Sequence, residues 1–203
     1  MKLLTALTES IQTLKPAHRK SAIFLFVAFF LVLFGYSSIR SVVTAVYLNS
    51  YGAKSTPLAS FVAVFALAAT LLLSNLLQKR LSIQSLFALI SSVSTFLFLG
   101  CYWGTLNGLK PLAHVLFIWK ELYIVILVHL LWGYAVNFFS EKSAKVYFGF
   151  VAAGGSLGGM LGGMFVSKLS AVGGVQGVVY SMSVVLLVTA AVFWQCERLG
   201  HST

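Results

Sequence analysis

Residues 21–39 read SAIFLFVAFFLVLFGYSSI, nineteen consecutive positions without a charge. A helix needs about 20 apolar residues to cross a hydrocarbon core about 30 Å thick, so this run alone nearly suffices. It extends past Arg40 to residue 48, and five further runs follow at 57–77, 83–103, 111–139, 146–167 and 172–195. Lipid offers no hydrogen-bond partner to a free backbone group, so each run is expected to be a helix. None shows the residue-by-residue alternation of a membrane barrel strand. The expected fold is all-α: a polytopic membrane protein whose six transmembrane helices form one bundle over 21–196. Residues 197–203 are read as a cytoplasmic tail.

The composition supports this reading. Hydrophobic residues make up 59% of the 203 and charged residues 9%, against about 25% charged in an ordinary soluble domain. The four acidic residues are Glu9, Glu121, Glu141 and Glu197, and no aspartate occurs. Carboxylate-pair hydrolysis and oxygen-rich metal cages therefore lack their ligands. No nucleophile and base stand in a catalytic context, so neither an enzyme nor a cofactor or metal site is expected. Cys101 and Cys196 fall on opposite sides of the expected bilayer, too far apart for a disulfide.

The net charge of +10 is distributed as membrane topology rather than as a nucleic-acid surface. With a cytoplasmic N-terminus, the inner face holds Lys2, Lys15, Arg19, Lys20, Lys79, Arg80, Lys142, Lys145 and Arg198. The outer face holds Lys54, Lys110 and Lys168, with Arg40 close by. Bases are retained on the cytoplasmic side, so both termini are expected inside, in an inner (cytoplasmic) membrane. Pro57 and Pro111 open the second and fourth runs, where a helix tolerates a missing N–H. Leu3, Leu7, Ile11 and Leu14 fall at helical spacing, so 1–20 reads either as a short amphipathic surface helix or as a frayed tail. Trp103, Trp119, Trp132, Trp194, Tyr47 and Tyr147 cluster toward span ends and read as interfacial anchors.

Charges inside spans are costly and are functional candidates by default. Arg40, in the outer part of the first span, and Lys120, in the outer part of the fourth, are read as two cations facing one aqueous cavity that attracts an anionic solute. Both could instead snorkel to the outer headgroups. Glu121 is expected to balance charge and to pair with Arg40 rather than with Lys120, since helix neighbours point apart. His129 lies deeper and is weighed as a proton relay with Glu121 or as a helix–helix hydrogen bond. Asn137, near the inner end, reads as a packing or interhelical polar contact, and with Arg40, Lys120, Glu121 and His129 it makes up the candidate substrate-binding set.

The fifth run carries Gly154-Gly155, Gly158-Gly159 and Gly162-Gly163. Pairs every four residues make two adjacent flat strips along one helix, a surface for close helix packing and for sliding between helices. The run lacks the Gly-Lys-Ser/Thr ending of a phosphate loop.

Three stretches carry a family resemblance. YSSIRSVVTAVYLNSYGAKSTPLA (36–59) and WKELYIVILVHLLWGYAVNFFSEKSAKVYFGFVAAGGSLGGMLGG (119–163) resemble the nucleotide-exchange branch of the major facilitator superfamily, the ATP/ADP translocases and their relatives. LQKRL (77–81) is similar to the basic motif between spans two and three of that superfamily. Relatives often carry an Arg-Asp pair where Val43-Thr44 stand, and a proline where Gly159 stands. The resemblance implies half of a twelve-span transporter, with spans one, two, four and five lining a central cavity. It implies transport or antiport of an organic anion, nucleotide-like or other, by alternating access. A second six-helix half or a homodimer would complete it, and the lipid bilayer is its surroundings. The competing expectation is a membrane anchor or scaffold descended from a transporter.

Overall fold

The computed structural model describes residues 16–138 and 141–200, with side chains described over 20–137 and 147–195. The expected amphipathic segment at 1–20 falls mostly outside these residues, as does the end of the tail. Among the described residues all regular structure is helical.

Helix α1 spans Pro16–Tyr51, α2 spans Thr56–Gln78, α3 spans Ile83–Leu106 and α4 spans Pro111–Phe138. The last helical stretch, Glu141–Gly200, is broken at Gly174, where φ is 61° and ψ is −169°. Its arms, 141–173 and 175–200, are α5 and α6 below. Among the described residues five helices are long and apolar enough to cross a membrane, and the fifth of these, Tyr147–Gln195, runs 49 residues through the break. A straight helix of that length would measure about 74 Å, more than twice the hydrocarbon thickness.

Local chemistry sets the ends. Pro57 stands in the first turn of α2. Ser82 caps α3, its hydroxyl accepting from the Ser85 N–H at 3.2 Å. The α3–α4 turn closes when the Leu109 N–H reaches back to the Gly104 carbonyl and the Gly108 N–H to the Thr105 carbonyl. Gly108 takes φ 85° to allow both bonds, the left-handed cap at which glycine carries no Cβ penalty.

Helix α1 is the axis of the bundle and packs chiefly on α5 and α6. Its buried positions Leu25, Ala28, Phe29 and Val32, then Ile39, Val42 and Val43, repeat at helical spacing on one stripe. The core continues through Leu127, Leu130 and Leu131 of α4 and Val178, Met182 and Leu186 of α6. Helix α2 leans on α4 and touches little else, and Leu58, Phe61, Val64, Phe65 and Leu72 stand outward. In a bilayer such residues face acyl chains without penalty, because lipid is as apolar as leucine.

The six paired glycines at 154–163 of α5 divide between two tasks. A methyl group added at Gly154 would lie 2.7 Å from the Phe26 carbonyl oxygen; one at Gly158 would lie 2.9 Å from Phe30 Cα, and one at Gly162 2.9 Å from Phe34 Cα. Matched four-residue steps in the same order mean that α1 and α5 run parallel at backbone contact. The Ser38 hydroxyl seals this seam by donating to the Gly162 carbonyl at 2.9 Å. The second strip is open: a methyl at Gly159 would sit at an ordinary 3.5 Å from Ser37 Oγ, and one at Gly163 would meet nothing within 4 Å.

Beyond Gly174 the chain comes back. A methyl on Gly35 would lie 3.5 Å from Val185 Cγ1, although Gly162 already packs at the adjacent Phe34. Phe193 then packs tilted against Phe87, near the start of α3, and edge-on to Tyr134, near the end of α4, at centroid distances of 4.6 and 5.3 Å.

Candidate functional site

The intramembrane charges come from α1 and α4, which pack together. Tyr36 and Arg40 lie one turn apart on α1 and so share a face. The Arg40 guanidinium stands over the Tyr36 ring at 5.8 Å. The Tyr36 hydroxyl donates to Glu121 Oε2 at 3.1 Å. The other carboxylate oxygen, Oε1, takes the Lys120 ammonium, which also lies 4.0 Å from the centre of the Phe117 ring. A continuous polar thread thus runs Arg40–Tyr36–Glu121–Lys120, with an aromatic ring against the cation at each end.

This arrangement corrects two expectations. Glu121 pairs with its neighbour Lys120 and not with Arg40. The two Cα–Cβ bonds do diverge, but the long lysine side chain bends back, and burial makes neutralisation by the nearest carboxylate decisive. Lys120 is 2% exposed, whereas Arg40 is exposed. The two cations therefore do not face one cavity together: Lys120 is closed off, and Arg40 has no carboxylate partner among the described residues.

His129 is exposed and makes no hydrogen bond among the described residues, so neither a relay with Glu121 nor a helix–helix bond is seen there. Asn137 is likewise exposed, at the C-terminal end of α4. The aromatic residues split. Trp103 and Trp194 are exposed, as anchors would be, but Tyr47 and Tyr147 are fully buried and belong to the core. Trp119 donates its indole N–H to Ser94 Oγ at 3.1 Å, tying α4 to α3. Tyr123, 1% exposed, packs edge-on to Tyr36 with its hydroxyl lacking a partner among the described residues.

Two clefts open beside the thread. One, of about 420 Å³, is lined by Ser37, Arg40, Ser41 and Thr44 of α1 and by Gly159 and Gly163 of α5. The other, of about 440 Å³, lies between Phe29 and Leu33 of α1, Val128 and Trp132 of α4, and the 152–160 stretch of α5, again including Gly159. The open glycine strip floors both. Sequence reasoning missed Tyr36 and the placement of Trp132 and Gly159 along these clefts. The spacing of Tyr36 to Arg40 was a usable signal; the convergence of α1, α4 and α5 was not visible in any local pattern. No family model matches the chain, and no curated protein or solved structure matches it.

Proposed function

We propose that the chain is one six-span half of a major-facilitator-type transporter for an organic anion. The observation that carries this reading is the guanidinium of Arg40, without a carboxylate partner among the described residues, in a cleft walled by two apolar helices. A charge held within a span is expensive, and a guanidinium forks onto carboxylate or phosphate. Glu121 and Lys120 neutralise one another beside it, which leaves Arg40 as the residue that draws the anion. The return of Val185 to the level of Gly35 supports a sixth crossing along α6. The distribution of lysine and arginine supports cytoplasmic termini in the inner membrane. Transport proceeds by rocking of this bundle against a second one, a partner half or a second copy.

The experiment is uptake into proteoliposomes of labelled dicarboxylates, sugar phosphates and nucleotides by the wild type and by Arg40→Gln. The expected result is uptake of at least one class by the wild type and its loss in the variant. Uptake unaffected by Arg40→Gln removes the proposed role of Arg40. No uptake of any class, together with retention of a bound soluble partner, favours the scaffold reading instead.

A further inference from the structure

We infer that the two clefts act as one elongated site, and that its ligand is an amphipathic anion with a flat apolar body joined to a single anionic head. This rests on the anion reading above and names the class of anion. Gly159 belongs to both clefts, so the junction between them is a position with no side chain. The outer cleft offers Arg40 and the hydroxyl-bearing Ser37, Ser41 and Thr44, which suit an anionic head. The inner cleft offers the Trp132 indole, set edge-on to Phe29 at a centroid distance of 4.9 Å. A half-buried indole held between Phe29 and Phe148, lining the cleft beside a smooth glycine floor, suits a flat apolar group better than a branched one.

Charge complementarity fixes which end is which. The cation, Arg40, sits at the outer end, and the inner cleft has no charged residue in its lining. Phe29 and Arg40 are eleven residues apart on α1, or about 16 Å along the axis. A small anion such as phosphate or acetate fills the outer cleft alone and leaves the inner one without a role. A ligand spanning both would gain from burial of its apolar body, at roughly 25 cal/mol per Å².

The test measures binding of 1-pyrenebutyrate and of butyrate to the purified protein in a neutral detergent, with 1-pyrenebutanol correcting for micelle partition. The wild type is expected to bind pyrenebutyrate at least tenfold more tightly than butyrate. Gly159→Leu should bring that ratio close to one by filling the junction. Gly159→Ala, whose methyl meets Ser37 Oγ at an ordinary 3.5 Å, should lower it only two- to threefold. Trp132→Ala should lower the ratio by itself, which gives an independent reading if Gly159→Leu does not fold. An unchanged ratio in Gly159→Leu or in Trp132→Ala overturns the inference. So does loss of a dimer in Gly159→Leu with the ratio intact, which would assign the strip to a second copy. Equal binding of the two anions, abolished by Arg40→Gln, defeats the elongated site but leaves the anion reading standing. Binding of both anions that is indifferent to Arg40→Gln defeats the anion reading itself.

Discussion

Replacing Gly158 by alanine separates the two strips of α5 in one measurement. The new Cβ would stand 2.8 Å from the Phe30 carbonyl carbon and 2.9 Å from its Cα, and closer still to the oxygen. Carbon atoms rest about 3.5–4.0 Å apart, so α1 and α5 must separate locally by close to 1 Å. These are backbone atoms of a helix and cannot swing aside. A gap of about 0.5–1 Å forfeits a quarter to a half of each dispersion contact it opens, and overpacking a tight site typically costs about 1–3 kcal/mol. Alanine recovers about 1 kcal/mol of helix propensity, but Gly163→Ala gains the same and meets nothing within 4 Å. The comparison of the two variants therefore cancels propensity. Gly158→Ala should be less stable than Gly163→Ala by about 2 kcal/mol, in the range that overpacking allows. Gly162→Ala should follow it closely, and Gly154→Ala should be milder because a flexible Phe26 ring shares the clash. The assay is denaturation by sodium dodecyl sulfate in mixed micelles, followed by tryptophan fluorescence. Equal stability of Gly158→Ala and Gly163→Ala would refute the backbone contact between α1 and α5.

Three further substitutions test other parts of the molecule by the same assay. Glu121→Gln leaves the buried Lys120 ammonium without its carboxylate and should cost about 3 kcal/mol; Lys120→Met added to it should restore most of the loss, and a double variant no better than the single would show that the pair is not coupled. Gly174→Ala meets no steric neighbour but forces a Cβ into φ 61°, so it should cost about 1–3 kcal/mol, whereas Gly173→Ala should not destabilise. Tyr123→Phe removes a buried hydroxyl that has no partner among the described residues and should be neutral or stabilising by about 1 kcal/mol; a marked loss would reveal a bond to that hydroxyl.

The helices were legible because the bilayer imposes a crude rule, length and apolarity, that needs no knowledge of packing. The run at 83–103 becomes α3, and Pro57 and Pro111 stand in the first turns of α2 and α4. The end of α5 was less legible. Residues 168–171, read as a loop, are helical, and the break falls at Gly174. Nothing local distinguishes Gly174 from Gly173, since both lack a Cβ; which of them takes φ 61° is set by how α6 lands on α1. Tyr47 and Tyr147 failed for a related reason. A tyrosine near a span end satisfies the pattern of an interfacial anchor whether it points outward or, like Tyr47 at 0% exposed, into the bundle.

The charges were harder because sequence gives their depth but not their company. Lys120 and Arg40 look alike in depth in a one-dimensional reading, each a cation read in the outer part of a span, and the neighbouring Glu121 could be assigned to either. Packing divides them: Lys120 falls against Phe117, is buried and pairs with the half-buried Glu121, whereas Arg40 stands over the Tyr36 ring with no carboxylate partner among the described residues. The same division runs through the glycines. Gly154, Gly158 and Gly162 are spent on the α1 seam, so mutating them tests stability. Gly155, Gly159 and Gly163 face the clefts, so mutating Gly159 tests ligand length without disturbing backbone contact. A single four-residue repeat therefore encodes a structural strip and an open strip offset by one residue, about 100° around the helix. The open strip shares its cleft with Arg40, which has no carboxylate partner among the described residues, and the proposed anion site rests on that coincidence.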